Sequence, residues 1–471
     1  MLGRKIAFNA IISTGARIIS LGLSLIIIGI ITRYLGQSGF GEYAIILAFL
    51  YFFVVLSDLG LYSICIRDIS RPGSDERKIA NNAFTIRFIF GLVIFSLSPL
   101  IIRFFPYSTE IKIGVLIGAF GFWALSSNAI LISVFQKYLR MDKVAISEIL
   151  GRSIQLALVL FFIQKNLGFL FIVGAMSVGA LIQFISNFLF VQKHIAIFFQ
   201  FDFSIWFDLL KKSIPLGLAA IFTMVYFKLD TLMLSLMKTP ADVGIYSLAY
   251  KILESLIFFP AMLVGLIMPL LSKYAFSDME KFKQISQKTM DIILMFIIPI
   301  VVGTFFLSDK IVIFIGGKSF IHSSGVLNIL IIATSIIFLE VLFSNTIISL
   351  EKQKTLTYIY FIGLIVNLIA NFIFIPRYSY YGAASTTVLT EFIIAILMMI
   401  VIYKTLKSSF SFKSVIKNIL AVSVMAIFLY FFSGYNMFIL VGLSILVYFS
   451  ALYLVGGFSI NDILLLIRKD S

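Results

Sequence analysis

Cysteine and histidine are almost absent from this sequence. Its 471 residues include one cysteine, Cys65, and two histidines, His194 and His322. A single cysteine cannot form an intramolecular disulfide, and two widely separated histidines match no pattern typical of a metal site or a catalytic triad. We therefore expect no metal and no cofactor, and we interpret both histidines as connector residues.

Charged residues are scarce as well, and the apolar residues are gathered into long runs. Charged residues make up 13% of the chain and hydrophobic residues 61%, against about 25% and about 45 to 50% in soluble proteins. A helix that crosses a membrane needs about 20 mostly apolar residues, and about fourteen stretches approach or exceed that length. The predicted spans are residues 6–31, 42–62, 79–102, 113–136, 144–163, 168–192, 213–236, 243–271, 285–307, 326–349, 355–375, 382–403, 414–433 and 437–456. The sequence therefore predicts an all-α polytopic membrane protein with about 14 transmembrane helices.

Basic residues are concentrated in alternate connectors. If the N-terminus is cytoplasmic, the connectors and adjoining helix ends on that side carry 24 Lys and Arg, and those on the other side carry 8. Because the translocation of basic loops is disfavoured, this asymmetry predicts that both termini are cytoplasmic and that the number of spans is even. Topology and attraction to anionic lipids explain the net charge of +15 without a nucleic-acid partner.

One amphipathic segment interrupts the succession of spans. It combines Phe203 and Trp206 with Asp208 and Lys211, a mixture typical of a helix that lies in the membrane interface. Six spans precede it, six similar spans follow it, and two more end the chain. We therefore predict an N-terminal six-helix lobe, an interfacial linker, a C-terminal six-helix lobe and an appended pair of helices, at residues 1–195, 196–212, 213–403 and 404–471.

The two six-span halves show a weak internal repeat. The segment Phe40-Gly41-Glu42-Tyr43-Ala44 opens the second predicted helix, and Val243-Gly244-Ile245-Tyr246-Ser247 opens the eighth, 203 positions later. A repeat of six spans gives both halves the same orientation in the membrane. That arrangement is typical of a transporter whose two lobes surround a central cleft.

Basic side chains inside the predicted spans indicate a binding cavity. A charge at the bilayer centre costs about 2.5 to 3.5 kcal/mol, so such residues usually face a bundle interior or a wet cavity. Arg17 lies roughly 16 Å into its helix and Arg87 about 12 Å, at 1.5 Å per residue. We expect both to line a cavity. Asn367 and Asn371 share a helix face, which is compatible with substrate contact or with hydrogen bonds between helices.

Acidic side chains inside the spans are candidates for ion coupling. Glu340 and Glu391 lie near the middles of their helices and have no basic residue three or four positions away. Each must be protonated, paired between helices or hydrated. By contrast, Glu148 has Arg152 at i+4 and Lys251 has Glu254 at i+3, spacings that allow ion pairs within one helix.

Several of these residues lie in motifs that resemble a known family. The matching segments are Arg33-Tyr34-Leu35-Gly36, Phe40-Gly41-Glu42-Tyr43, Ser57-Asp58-Leu59-Gly60-Leu61, Asp230, Val243-Gly244-Ile245-Tyr246, Ala249-Tyr250-Lys251, Asn367-Leu368-Ile369-Ala370-Asn371, Pro376, Tyr381-Gly382-Ala383-Ala384 and Thr390-Glu391. These segments resemble the polysaccharide transport proteins, the Wzx-type O-antigen flippases, and the similarity covers roughly residues 1 to 403.

This resemblance implies membership of the multidrug/oligosaccharidyl-lipid/polysaccharide exporter superfamily, whose members alternate between inward-open and outward-open states. It implies export of an undecaprenyl-pyrophosphate-linked oligosaccharide, such as an O-antigen or capsule repeat unit, across a bacterial inner membrane. The implied partners are this cargo, membrane lipids, a glycan polymerase and a chain-length regulator. The family usually has twelve spans, so residues 404–471 are additional.

The site predictions combine the buried charges with these motifs. The candidate substrate-binding residues are Arg17, Arg87, Arg33, Lys228, Asn367 and Asn371. The candidate coupling residues are Asp230, Glu340, Glu391 and Asp58.

Three other functions compete with this interpretation. A multidrug or organic-cation antiporter of the same superfamily would need an anionic cavity, whereas Arg17 and Arg87 favour an anionic cargo. A lipid II flippase shares the need for cations and the fourteen spans. A membrane enzyme would need a sizeable polar loop carrying acid, base or metal groups. The connectors are too short for that, and no nucleotide-binding P-loop is present.

Overall fold

A computed structural model of the chain describes residues 2–407, 410–411 and 413–457; side chains are described from residue 15 onward, except at positions 215, 216, 218–220, 223, 224, 226 and 413. This part of the chain forms thirteen α-helices and contains no strand. The helices are α1 Leu2–Asp58, α2 Leu61–Ile69, α3 Glu76–Ile101, α4 Thr109–Lys137, α5 Met141–Gln164, α6 Phe169–Val191, α7 Phe203–Met237, α8 Pro240–Ser277, α9 Met279–Gly316, α10 Ser323–Ser349, α11 Gln353–Leu406, α12 Lys413–Phe431 and α13 Met437–Leu454. Eleven of the helices in the described residues are long and apolar enough to cross a membrane. The predicted all-α polytopic fold is confirmed.

Two of the longest helices each contain two predicted spans. The backbone of α1 leaves helical geometry at Gly36, where φ is 67°, a conformation that favours glycine because it has no Cβ. The backbone of α11 breaks at Ser379, where φ is 49°, three residues after Pro376. Both breaks fall in predicted connectors, so the two helical segments on either side of each break correspond to the two predicted spans.

The predicted interfacial segment is partly extended and partly helical. Residues 196–202 form no regular structure, and Asp202 then caps α7 by accepting hydrogen bonds from the backbone N–H groups of Ser204 and Ile205, at 3.1 and 3.3 Å. From Phe203 the helix continues without interruption into the seventh predicted span. The amphipathic turns and that span are therefore one helix, whereas the sequence predicted two elements.

Side chains of α3 hold the extended residues in place. Asn81 Oδ1 accepts from the backbone of Phe198 at 3.2 Å, and Thr85 Oγ1 accepts from Gln200 at 2.9 Å. Asn82 Oδ1 accepts from the backbone of Asp202 at 2.9 Å. Because α3 satisfies the peptide groups that a strand or helix would otherwise satisfy, this segment stays ordered without regular structure.

The short helix α2 follows α1 and was not predicted. Its buried residues Leu61, Ile64, Cys65, Asp68 and Ile69 recur at the spacing of one helix face. That period is present in the sequence, but nine residues are too few to stand out as a membrane span.

Two compact units divide the described chain within α8. The first contains residues up to Ser247 together with Ile315–Gly317, and the second contains Leu248–Phe314 and the described residues from Lys318 onward. The predicted division at 195, 212 and 403 rests on the repeat pattern and stays a prediction.

Small and amide side chains bring the helices of the first unit together. A Cβ on Gly151 of α5 would lie 2.6 Å from the carbonyl oxygen of Gly179 of α6, so these two helices are in backbone contact. Asn187 of α6 donates to Asn128 of α4 at 2.9 Å. Close approach through glycine and amide hydrogen bonds are the usual means of joining helices in lipid, where hydrophobic burial gives no advantage.

In the second unit, the appended helices α12 and α13 pack against α9. Their contact is a buried apolar cluster that includes Met295, Met425 and Leu440. The Tyr448 hydroxyl of α13 lies 2.9 Å from the carbonyl oxygen of Met295 and 3.0 Å from Oδ1 of Asn418 on α12. One buried tyrosine therefore links all three helices.

Candidate functional site

Arg87 and Asp58, two predicted site residues, form an ion pair with each other. Arg87 is buried within α3, and its guanidinium also donates to two backbone carbonyls, those of Ser126 at 3.0 Å and Ser57 at 2.9 Å. A buried charge is tolerated when it is paired and hydrogen-bonded in this way. In this structure the pair joins the end of α1 to α3 and α4, so a cargo contact by Arg87 stays a prediction.

The turn after Asp58 explains why the Arg87 side chain contacts the end of α1. Leu59 and Gly60 have φ values of 42° and 78°, which ends α1 and leaves its last carbonyls without helical partners. Arg87 satisfies the carbonyl of Ser57. A Cβ on Gly217 of α7 would lie 2.4 Å from Leu59, so α7 presses closely on this turn.

Arg17 lies in a more open environment than Arg87. Its side chain is 53% exposed, and Nη1 lies 3.9 Å from Glu148 of α5. Ser20 donates to the same carboxylate at 2.5 Å. Glu148 thus pairs with α1, where the sequence suggested an ion pair with Arg152 of its own helix. The predicted pair of Lys251 and Glu254 forms within α8 at 2.9 Å.

Lys228 and Asp230 of α7 contact aromatic residues. The ammonium of Lys228 lies 5.3 Å from the centre of the Tyr51 ring, within the range of a cation–π interaction. Asp230 is buried and accepts a hydrogen bond from the Tyr246 hydroxyl at 3.1 Å. The two charges are therefore anchored to α1 and α8, which places them in the first unit with Arg17.

Arg33 is exposed near the break in α1. It donates to the carbonyl of Gly29 at 3.4 Å, and its side chain passes close to Gly317. Thr32 donates toward the carbonyl of Ile315 at 3.5 Å. The last turn of α9 and the residue that follows it therefore border Thr32 and Arg33.

The carboxyl groups of Glu340 on α10 and Glu391 on α11 lie close enough to interact with each other. Both are buried, with exposed fractions of 5% and 0%. The structure brings the two glutamates together across α10 and α11, and whether each is protonated, paired or hydrated stays as the sequence left it. Tyr360, in the first half of α11, faces both carboxyl groups and forms a hydrogen bond with Ser344 of α10.

Asn367 and Asn371 are also buried in the second unit. Asn371 donates to Asn367 at 2.9 Å, and Asn367 donates to Thr390 at 3.4 Å. The first half of α11 is thus hydrogen-bonded to the second half beside Glu391. The contact with Thr390 is a hydrogen bond between two helical segments, and a substrate contact by either asparagine stays a prediction.

The structure distributes the predicted residues over two polar regions. The first unit contains Arg17, Arg33, Asp58, Arg87, Lys228 and Asp230; the second contains Glu340, Asn367, Asn371 and Glu391. Sequence reasoning missed Tyr51 and Tyr360. Tyr360 precedes Asn367 by seven positions, two helical turns on the same face, which is the signal that could have identified it. Within the described residues, no three His, Cys, Asp or Glu side chains are placed to hold a metal ion.

Comparison with known proteins agrees with this architecture. The profile of the polysaccharide biosynthesis protein family matches residues 6–275, and that of the MatE family matches residues 215–373. No curated protein is similar enough in sequence to be matched to the chain.

Solved structures share the fold over most of their length. The lipid II flippase MurJ, in an inward closed conformation, is 19% identical, with a TM-score of 0.79 over 96% of this chain and all of the MurJ chain. A multidrug resistance MATE family transporter of the MOP superfamily, in an inward-facing conformation, is 13% identical, with a TM-score of 0.68 over 84% of this chain and 98% of its own. A MOP superfamily transporter from Pyrococcus furiosus, whose description notes a reversed polarity of the binding pocket, is 15% identical, with a TM-score of 0.59 over 86% and 96%.

The family and the solved relatives are transporters and flippases, not enzymes. The family profile covers more than half of the chain, and the fold of a solved flippase matches nearly all of it. The chain belongs to the polysaccharide biosynthesis protein family and has the flippase-type transporter fold of the MOP superfamily.

Proposed function

We propose that this protein is a flippase that moves a polyprenyl-pyrophosphate-linked oligosaccharide from the cytoplasmic to the periplasmic leaflet of a bacterial inner membrane by alternating access. The cargo is an undecaprenyl-linked repeat unit of O-antigen or capsule. Both termini are cytoplasmic in this proposal, and a glycan polymerase with its chain-length regulator receives the product. Membership of the polysaccharide biosynthesis family supports the class of cargo.

The exposure of the Arg17 side chain is the observation that supports the proposal. Its side chain is 53% exposed although it lies inside a spanning helix. A cation that faced lipid at this depth would cost about 2.5 to 3.5 kcal/mol, so we infer that it faces water. Glu148 lies at 3.9 Å, and Arg152 follows one turn later on α5. Arg17 and Arg152 carry two positive charges and Glu148 one negative charge, and this balance supports an anionic cargo.

The chemistry of a pyrophosphate-linked cargo matches such a cluster. Pyrophosphate and hydrated sugars cannot cross hydrocarbon without replacement of their water shell. An arginine fork supplies planar, bidentate hydrogen bonds to phosphate. In this proposal Arg17, Arg33 and Lys228 receive the pyrophosphate in turn, while Arg87 and Asp58 hold the helices that present them.

The membrane potential can drive this export. Moving one charge across a potential costs or releases about 2.3 kcal/mol per 100 mV. A pyrophosphate diester carries about two negative charges, so its exit from a negative interior is favoured by twice that value. No hydrolysis of a nucleotide is required.

The test is leaflet-resolved mass spectrometry of polyprenyl-linked sugars in cells with and without this protein. We expect cells that lack it to accumulate lipid-linked oligosaccharide that only reagents entering the cytoplasm can modify. A normal distribution over both leaflets would overturn the proposal, and efflux of cationic dyes would then test the drug antiporter.

Lipid II is the second candidate cargo. The MurJ structure, described as a lipid II flippase, matches 96% of this chain. Lipid II carries the same pyrophosphate, so the charge argument applies equally to it. The same mass spectrum separates the two cargoes, because a trapped peptidoglycan precursor contains a peptide and a trapped repeat unit does not.

A further inference from the structure

A cavity of about 400 Å³ lies between the start of α9 and the end of α11, inside the second unit. Its polar wall comes from α9 and includes Lys283, Ser286 and Lys288. Its apolar wall comes from the end of α11 and the residues after it, and includes Ile402, Leu406 and Phe410. The proposed path of the cargo makes no use of this cavity, which combines cations with an apolar surface.

Ser286 is a buried polar residue in the wall of the cavity. Its side chain is 1% exposed, and its hydroxyl has no hydrogen-bond partner among the described residues. A hydroxyl in a helix often donates to the carbonyl one turn earlier, as Thr289 does to Ile285 at 2.8 Å. A buried donor without a partner has lost its water without compensation. A ligand with an acceptor oxygen would satisfy it.

The two lysines of the cavity can attract an anion. Lys288 is exposed and forms no ion pair with any described residue. Lys283 pairs with Glu280 at 2.9 Å, but that carboxylate is 76% exposed, and an exposed pair of this kind is weak. Both ammonium groups are therefore available to a ligand that carries negative charge.

The apolar wall is held in place by contacts on two sides. Gln287 of α9 donates to the backbone carbonyl of Ser411 at 2.8 Å and accepts from its N–H at 2.8 Å. The ring of Phe410 packs on Phe343 of α10, with ring centres 5.4 Å apart. The cavity is therefore formed without a ligand, and a ligand in it would join α9 to the connector that leads into α12.

An exposed apolar row on α11 leads toward the cavity. Its residues recur every three or four positions, as on one helix face, and are 40 to 59% exposed: Phe392, Ile396, Ile400 and Tyr403. They belong to a helix that is long and apolar enough to span a membrane, and the row ends within one turn of Leu406. An acyl chain could lie along this row while its headgroup occupies the cavity.

We propose that this cavity binds the phosphate of an anionic phospholipid from the cytoplasmic leaflet, the side on which the predicted topology places it. Lys283 and Lys288 neutralise the phosphate, and the Ser286 hydroxyl donates to one of its oxygens. One acyl chain follows the exposed row of α11. The bound lipid links α9 to the connector before α12 and so stabilises the docking of the appended helices. The inference does not depend on the cargo, and its test requires no transport.

Native mass spectrometry of the full chain in detergent tests the site. The wild-type protein is titrated with phosphatidylglycerol and, separately, with phosphatidylcholine that has the same acyl chains. We expect the first phosphatidylglycerol to bind more tightly than phosphatidylcholine, and the preference to weaken with salt. Equal affinity for the two lipids would overturn the inference, and this comparison needs no variant.

Variants then locate the binding. We expect Lys283→Ala and Lys288→Ala each to weaken phosphatidylglycerol binding by about fivefold, the effect of one lysine near an anionic lipid surface. Ser286→Ala should also weaken it without loss of folding, because its hydroxyl has no partner in the described structure. Lys281→Ala is the matched control, since Lys281 is 60% exposed, 3.6 Å from Asp278 and outside the cavity. An equal loss in this control would reject the site.

Thermal midpoints separate a lipid from a soluble phosphate. We expect phosphatidylglycerol to raise the midpoint of the wild-type protein but not that of a variant with both Lys283→Ala and Lys288→Ala, and millimolar inorganic phosphate to change neither. An equal rise with inorganic phosphate would overturn the assignment to a lipid. Hydrogen exchange in the first turns of α12 should slow when phosphatidylglycerol is bound, and unchanged exchange would reject the effect on docking.

Discussion

Gly41 of α1 and Gly244 of α8 make the same contact in opposite directions. A Cβ on Gly41 would lie 1.7 Å from the carbonyl oxygen of Pro240, and a Cβ on Gly244 would lie 2.1 Å from that of Gln37. Positions 37 and 240 are 203 apart, as are 41 and 244. The segment around Gly41 therefore contacts its repeat around Gly244 in the same chain, and the two contacts are related by a local twofold axis. The backbones cross so closely that both positions require glycine.

Substitution of either glycine should disrupt this crossing. Because the clashing atoms belong to the backbone, they cannot move as a flexible side chain would. We expect Gly41→Ala and Gly244→Ala each to destabilise the protein by about 1 to 3 kcal/mol, the usual cost of overpacking. The measurement is the thermal midpoint of the detergent-solubilised protein. Gly265→Ala is the control, since no atom lies within 4 Å of its Cβ position, and an equal loss there would contradict the prediction.

The ion pair of Arg87 and Asp58 should behave as one energetic unit. We expect Asp58→Ala to cost about 3 to 5 kcal/mol, because it leaves a buried guanidinium without its counter-charge. The double variant with Arg87→Ala should be less destabilised than the sum of the two single variants. The thermal midpoints of the two single variants and the double variant, compared with that of the wild-type protein, form a double-mutant cycle. Strict additivity would show that the pair is not coupled.

The exposed cation Arg17 should be essential for transport and dispensable for folding. We expect Arg17→Ala to abolish glycan display while the protein remains in the membrane at wild-type amounts. Arg17→Lys should retain part of the display, because it keeps the charge but loses the bidentate geometry. Surface glycan and membrane protein are measured together by immunoblot.

A control with the same change of charge keeps that experiment specific. Lys281 is 60% exposed and pairs only loosely with Asp278, at 3.6 Å. Exposed ion pairs of this kind contribute about 0 to 1 kcal/mol to the stability of a protein. Lys281→Ala should therefore leave glycan display unchanged. Wild-type display in Arg17→Ala would remove Arg17 from the proposed cargo site.

The hydroxyl of Tyr448 should matter for the docking of α13. Its contacts with Met295 and Asn418 are buried, so we expect Tyr448→Phe to cost about 1 kcal/mol, with the ring contacts preserved. Tyr430→Phe, at a side chain that is 69% exposed, should change nothing. A lower thermal midpoint with normal glycan display would assign α12 and α13 a structural role.

The helices themselves were largely predictable because hydropathy is a local property. A run of about 20 apolar residues in a membrane has no alternative to helix, since every peptide group must be satisfied within the segment. The break at Gly36 could not be distinguished from a longer connector, because a single residue with positive φ changes the chain direction without changing composition. The short helix α2 was missed since it is too brief to span.

The candidate site was predictable residue by residue, but its pairing was not. The cost of a buried charge singled out Arg87, Asp58, Glu340 and Glu391 one at a time. Asp58 and Arg87 are 29 positions apart, and Glu340 and Glu391 are 51 apart. No periodicity connects residues at such separations, so the partners became visible only when the helices were packed.

Hydropathy by itself determines that this chain is an all-helical membrane protein, because insertion into lipid depends on each apolar segment separately. Packing decides that Arg87 is enclosed while Arg17 stays open, and that Glu340 and Glu391 lie beside each other. Both outcomes depend on which helix faces which. That choice is made by contacts between distant residues, such as the crossing at Gly41 and Gly244.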